Sequence, residues 1–131
     1  MADKLLFTGT THVVGGADGY ARSSDGALDL ALPDPHPAAE RLFAAAWSAC
    51  FIGATQLAAA QRKIKLAGVP EMDTTIDLLQ GDGGFFLRAK LNVHVPGLDR
   101  DEARDLVEAA HAICPYSKAI AGNIDVELNV I

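Results

Sequence analysis

A chain of 131 residues, half of them hydrophobic, has single-domain length and enough apolar side chains for one compact core. A formal net charge of -6 with no run of Lys or Arg excludes a phosphate-neutralising surface, and with it nucleic acid as a partner. The opening "MADKLLFTGT" lacks a basic segment followed by an apolar run and a small-residue cleavage site, so no secretory signal is expected and the expected location is cytoplasmic.

In chain order, Lys4 to Val14 reads as a strand and "GGADG" as a turn in which glycine supplies backbone angles that other residues resist. "YARSS" and "ALDLAL", split by "DG", continue an antiparallel meander. "PDPHP" stops the sheet, because proline lacks the ladder donor, and Pro37 suits the first turn of a helix. That helix is expected from about Pro37 to Lys65, closed by Gly68. "TTIDLLQ" and "FFLRAKLNVHV" flank "GDGG" as a hairpin. "LDRDEARDLVEAAHAIC" is an amphipathic helix with Leu98, Leu106, Val107, Ala110 and Ile113 on its inner face, ended by Pro115. "NIDVELNVI" alternates as a last strand. The order β-β-β-α-β-β-α-β is that of one α+β domain over residues 1–131.

Between Leu42 and Ala60 the first helix is apolar on every side, and such a helix must be buried on every side. A membrane is not the expected cover, because Ser48, Thr55 and Gln56 interrupt the stretch and alanine dominates it. A second copy of the chain is: Ala44, Ala45, Ala46, Ala49, Gly53 and Ala54 let two such helices approach closely. The alternative is a monomer whose own sheet wraps a hydrophobic hairpin.

There are two cysteines, Cys50 and Cys114. Cys50 sits in the middle of the alanine-rich helix, where it gains nothing from a helix N-terminus and where burial disfavours the thiolate. A small buried core thiol is one reading of it. Cys114, at the end of the second predicted helix, is a poor attacker and a usable second thiol. His12, His36, His94 and His111 are scattered and show no metal-ligand spacing with either cysteine, so no metal site is expected.

"AAERLFAAAWSACFIGA", "CPYSKAIAGNIDVELNV" and "SSDGALDLAL" resemble the motifs of the organic hydroperoxide resistance (Ohr) branch of the OsmC/Ohr family, over nearly the whole chain. The resemblance implies an intertwined homodimer with sheets wrapped around central helices. It also implies a thiol peroxidase in which Cys50 attacks an organic hydroperoxide, becomes a sulfenic acid and closes a disulfide with Cys114. No cofactor is bound on this reading. An external dithiol, the dihydrolipoyl group of a lipoylated protein, is the implied reductant, and alkyl or fatty-acid hydroperoxides are the implied substrates. An apolar approach lined by Phe43, Trp47, Phe51 and Ile52 suits such a substrate, although those side chains also suit a core.

The family activates its thiol with an arginine after the first strand and a glutamate ahead of the cysteine. Glu40 occupies the glutamate's place, ten residues before Cys50, which on a straight helix is about 15 Å away. Either the helix breaks after Glu40, or Glu40 reaches the partner's Cys50, which is the preferred reading; a solvated first-turn carboxylate that complements the helix dipole is the alternative to both. The arginine is missing: "GGADG" has Ala17 in its place, and Ala121 replaces a basic residue often found before "GNIDV". Arg22 is the first choice of substitute cation, ahead of Arg41 and Lys118. If no cation serves, the alternative function is a non-catalytic OsmC-like dimer that binds a lipophilic ligand or a thiol partner.

Overall fold

The structure is a computed structural model that describes residues 2–34 and 39–131. Pro37, where the long helix was expected to start, and His36 lie outside the described residues. The elements are β1 (Thr11–Val14), β2 (Tyr20–Ser23), β3 (Asp29–Ala31), α1 (Ala39–Gln61), β4 (Glu71–Gly81), β5 (Gly84–His94), α2 (Arg100–Ile113), α3 (Pro115–Ile120) and β6 (Asp125–Val130). The α+β class and the expected order hold, with one helix added. Where one domain was expected, the chain divides into two compact units, Met1–Ala38 and Ala39–Ile131.

The first unit is the antiparallel meander β1-β2-β3. Its first turn closes because Gly16 adopts φ 97, and the Gly19 amide donates to the Gly16 carbonyl at 3.0 Å. A side chain at Gly19 would strike the Leu32 and Val14 carbonyls, so only glycine fits there. β1 is shorter than the predicted Lys4–Val14. Leu5, Leu6 and Phe7 are 81%, 83% and 78% exposed and form no ladder, because an apolar segment settles into a strand only against a surface that covers it.

The second unit is the sheet β4-β5-β6 with helices on its inner face. β4 and β5 form a hairpin in register from Glu71↔His94 to Gly81↔Gly84. Gly84, at φ 108, takes the position past the turn that a Cβ would disfavour. β6 runs parallel to β5, so the chain needs a crossover between them, which α2 and α3 supply. Period-two alternation separates the two faces of the sheet. Inward point Met72, Ile76, Ala89, Leu91, Val93, Val126 and Leu128, all within or against the core. The other face carries three polar rows: Asp73, Asn92 and Asn129; Thr75, Lys90 and Glu127; and Asp77, Arg88 and Asp125. Arg88 Nε meets Asp77 Oδ2 at 2.8 Å, Lys90 Nζ lies 3.7 Å from Glu127 Oε2, and Asn129 Nδ2 donates to Asn92 Oδ1 at 2.9 Å.

α1 buries Trp47, Phe51, Ala54, Thr55, Ala58 and Ala59 along one stripe. It ends at Gln61, four residues before the predicted Lys65. Lys63 takes φ 57, and the Lys63 and Ile64 amides donate back to the Ala60 and Ala59 carbonyls at 3.1 and 2.9 Å. This is the Schellman arrangement with lysine where glycine is usual. Ile64 packs against the core beside it. By length and composition α1 does meet the requirement for a membrane span, with a mean hydropathy of 1.5 over its best window. Alanine is itself apolar, and Ser48, Thr55 and Gln56 carry no charge, so the expectation that they disqualify it fails on composition. In this fold it is the central helix of its unit.

α2 begins where Asp99 Oδ1 accepts the Glu102 amide at 2.8 Å, a side-chain cap. Ala103, Leu106, Val107 and Ala110 form its buried face. Leu98 packs against them from outside the helix, whereas Ile113, expected inside, is 38% exposed. Pro115 does end α2, but its fixed φ also suits the first position of a new helix, and α3 starts on it.

Candidate active site

The two thiols meet. Cys50 lies at the midpoint of α1, half-buried, and Cys114 is fully buried at the α2–α3 junction. Cys114 Sγ donates to Cys50 Sγ at 3.2 Å. Sixty-four residues separate them in sequence; the β5-to-β6 crossover brings them together. Cys114 is at once the C-cap of α2 and the N-cap of α3, its amide donating to the Ala110 carbonyl at 2.8 Å and its carbonyl accepting from Lys118 at 3.0 Å. Its backbone is thereby fixed on both sides.

Burial pushes the Cys50 thiol up from its ordinary range. The Tyr116 backbone N–H, hydrogen-bonded to the Cys50 sulfur, pulls the other way, and the bond and charge of Cys114 push up again. The mid-helix expectation for Cys50, that burial disfavours its thiolate, holds, with one addition. Although α1 offers its sulfur no free amide, the first turn of α3 does. No sequence signal near Cys50 marks this; the only hint is the "CP" dipeptide, which starts a helix as well as ending one.

A third tie joins α1 to α3. Trp47 Nε1 donates to Ser117 Oγ at 2.9 Å, both side chains buried. Among the four residues expected to line an apolar approach, Trp47 and Phe51 are sealed in the core at 0% exposure. Phe43 and Ile52 stay partly exposed, Phe43 edge-on to Trp47 with ring centroids 5.7 Å apart. One face of α1 is thus wholly committed to packing. Beside it, the His111 ring lies 6.1 Å from that of Phe51, and its buried Nδ1 has no hydrogen-bond partner.

α1 is continuous from Ala39 to Gln61, so the helix does not break after Glu40. Within one chain Glu40 and Cys50 are about 15 Å apart along the axis. Arg22 belongs to the first unit, where its guanidinium lies 4.1 Å from the Tyr20 ring centroid and its Nε bonds Asp29 Oδ1 at 3.2 Å. Among the described residues no three His, Cys, Asp or Glu side chains cluster as metal ligands.

What this arrangement offers chemically is a thiol pair in sulfur-to-sulfur contact, one half-buried and reachable, one sealed, with a backbone amide on the reachable sulfur. Residues 32–129 match the family of OsmC-like proteins. The chain is 43% identical to the organic hydroperoxide resistance protein of Xanthomonas axonopodis pv. citri, over 98% of this chain and 96% of that one. It superposes on the crystal structure of the organic hydroperoxide resistance protein OhrB of Bacillus subtilis with a TM-score of 0.84, at 39% identity, covering 97% of this chain and all (100%) of that one. On an organic hydroperoxide resistance protein from Legionella pneumophila the TM-score is 0.87, at 38% identity, with coverage of 97% and 98%. The chain belongs to the OsmC/Ohr family, on its organic hydroperoxide resistance branch.

Proposed function

We propose that this protein is a thiol peroxidase that reduces organic hydroperoxides to alcohols. The observation that carries the reading is the 3.2 Å contact between Cys50 and Cys114 sulfurs, in a chain whose relatives are named for organic hydroperoxide resistance. The Cys50 thiolate attacks the terminal oxygen of the hydroperoxide. The O–O bond breaks, sulfur is oxidised to a sulfenic acid, and the leaving alkoxide takes a proton to become the alcohol. The Cys114 sulfur then displaces hydroxide from the sulfenic acid, giving a disulfide and, with the thiol proton, water. An external dithiol, of which a dihydrolipoyl group is the proposed example, returns both thiols and is itself oxidised to a disulfide.

Dimerisation belongs to the same proposal. α1 exposes Ala45, Ala46, Ala49, Gly53, Gln56, Leu57 and Ala60 on the side away from its own core; Ala45, Ala46, Ala49 and Gly53 are among the small residues expected to face a second copy, whereas Ala44 is half-buried and Ala54 packs into the chain's own core. A dimer also gives Glu40 a target, the partner's Cys50. Arg22 remains the proposed substitute for the missing arginine.

Mixing the reduced protein with cumene hydroperoxide in a stopped-flow instrument tests the reading. The expected result is rapid loss of both thiols, one hydroperoxide consumed per pair. Cys50→Ser removes the reaction; Cys114→Ser leaves one sulfenic acid and no turnover. A rate no greater than that of free cysteine sinks the proposal. It favours the second reading, a binding protein, for which the upward push on the Cys50 thiol and Ala17 are the supporting observations. A full rate in Arg22→Ala eliminates that residue as the cation.

A further inference from the structure

We propose that the buried Trp47–Ser117 hydrogen bond is a positioning device for the thiol pair, pinning α3 to α1 so that Cys114 stays within reach of the Cys50 sulfur. The inference rests on the peroxidase reading for the use made of the thiols, but not for its geometry.

α3 has six residues, Pro115–Ile120, too few to hold its place as an independent helix. What fixes it is contact with α1 and α2. Ser117 is its one buried side chain, and its Oγ accepts from Trp47 Nε1 at 2.9 Å. Trp47 and Cys50 are three residues apart on α1 and share a side of it. Ser117 and Cys114 are likewise three apart, at the start of α3. α3 and the residue that caps it are therefore joined to α1 by two rungs, indole to hydroxyl and sulfur to sulfur. A buried indole N–H needs an acceptor, so the first rung is under steady pressure to stay closed. The second is a weak thiol contact that must open and close during turnover. The division of labour follows: the polar rung holds position while the sulfur rung changes chemistry.

The titratable side chain acting on the Cys50 sulfur is Cys114, so the pH dependence of Cys50 reactivity reports on this pair and on the Tyr116 amide. The test is the rate of iodoacetamide alkylation of Cys50 in the full-length reduced protein, mapped by mass spectrometry across pH. Ser117→Ala frees α3, and the amide leaves the sulfur. Alkylation is then slower by about tenfold near neutral pH, the equivalent of one unit of thiol acidity, and converges with the parent rate at high pH, where both are ionised. Ser117→Thr keeps the hydroxyl and restores the parent profile. Trp47→Phe removes the donor, keeps a ring in the core, and gives the same shift if Ser117→Ala does not fold.

Identical profiles in the parent and both variants overturn the proposal, as does slowing by one factor at every pH, which reports access and not ionisation. The readout needs no hydroperoxide, so the positioning role and the peroxidase activity fail separately.

Discussion

The two sides of α1 are both rich in alanine and do opposite things. One side, through Trp47, Phe51, Ala54, Ala58 and Ala59, is closed by the sheet, α2 and α3. The other, through Ala45, Ala49, Gly53, Gln56 and Ala60, is exposed and is left uncovered by the described residues of its own unit. The difference is one of size: bulky side chains mark the side that fills its own core, and the smallest ones mark the side where another backbone has room to come near. Cys50 lies between the two, half-buried, which is where a thiol must sit if a substrate is to reach it and water is largely to be kept from it.

The contrast can be broken most forcefully from within. Phe51→Ala empties a fully buried site and is expected to cost about 3–5 kcal/mol of unfolding free energy, read by urea denaturation. On the outer side, Ala49→Glu leaves the single-chain core intact and puts a charge where a second copy is proposed to lie. Dimer dissociation constants from sedimentation should rise by roughly a hundredfold or more, about 3 kcal/mol, with a folded monomer left. An unchanged sedimentation profile would remove the proposed interface.

Gly53→Ala sharpens the comparison through the sign of its effect. A Cβ at Gly53 meets nothing within 4 Å in the single chain, so helix propensity alone predicts a gain of about 1 kcal/mol. With a partner helix close by, overpacking reverses this, and a loss of about 1–2 kcal/mol is the expected outcome in thermal unfolding of the dimer.

The smallest effect is a pH effect on the inner side. Burial lowers the His111 pKa below its ordinary value of about 6.5, so on acidification the unfolded chain takes up this proton first. Stability from this group is present above that ordinary value and is lost as pH falls through the folded one. His111→Gln should flatten the dependence of the unfolding midpoint between pH 7 and 5, and a slope identical to the parent's would exclude His111 as its source.

Much of the fold was legible from spacing. Alternation gave the sheet strands, the amphipathic pattern gave α2, and the Gly-rich turns stood where they were expected. Failures came where a residue's meaning depended on its surroundings. Lys63 ends α1 in a conformation that sequence rules reserve for glycine. Pro115 starts a helix as well as stopping one. Leu5, Leu6 and Phe7 look like strand residues but lack a surface in their own unit.

The site was less legible than the fold. Nothing in the local pattern around Cys50 or Cys114 says that their sulfurs touch; only the family resemblance paired them. Trp47 and Phe51 are equally good pocket walls and core fillers on sequence, and three-dimensional closure assigned them to the core. The Tyr116 amide and the Ser117 hydroxyl were invisible because backbone groups and small hydroxyls carry no signature until a fold aims them.

The outer face of the β4-β5-β6 sheet, with its rows of Asp, Arg, Lys, Glu and Asn, has a practical consequence. It is the side on which a fluorophore or a resin linkage, for instance through Lys90, can be placed away from the two sulfurs, which lie on the helix side of the sheet. Single-molecule or immobilised measurements of this protein have a natural handle there.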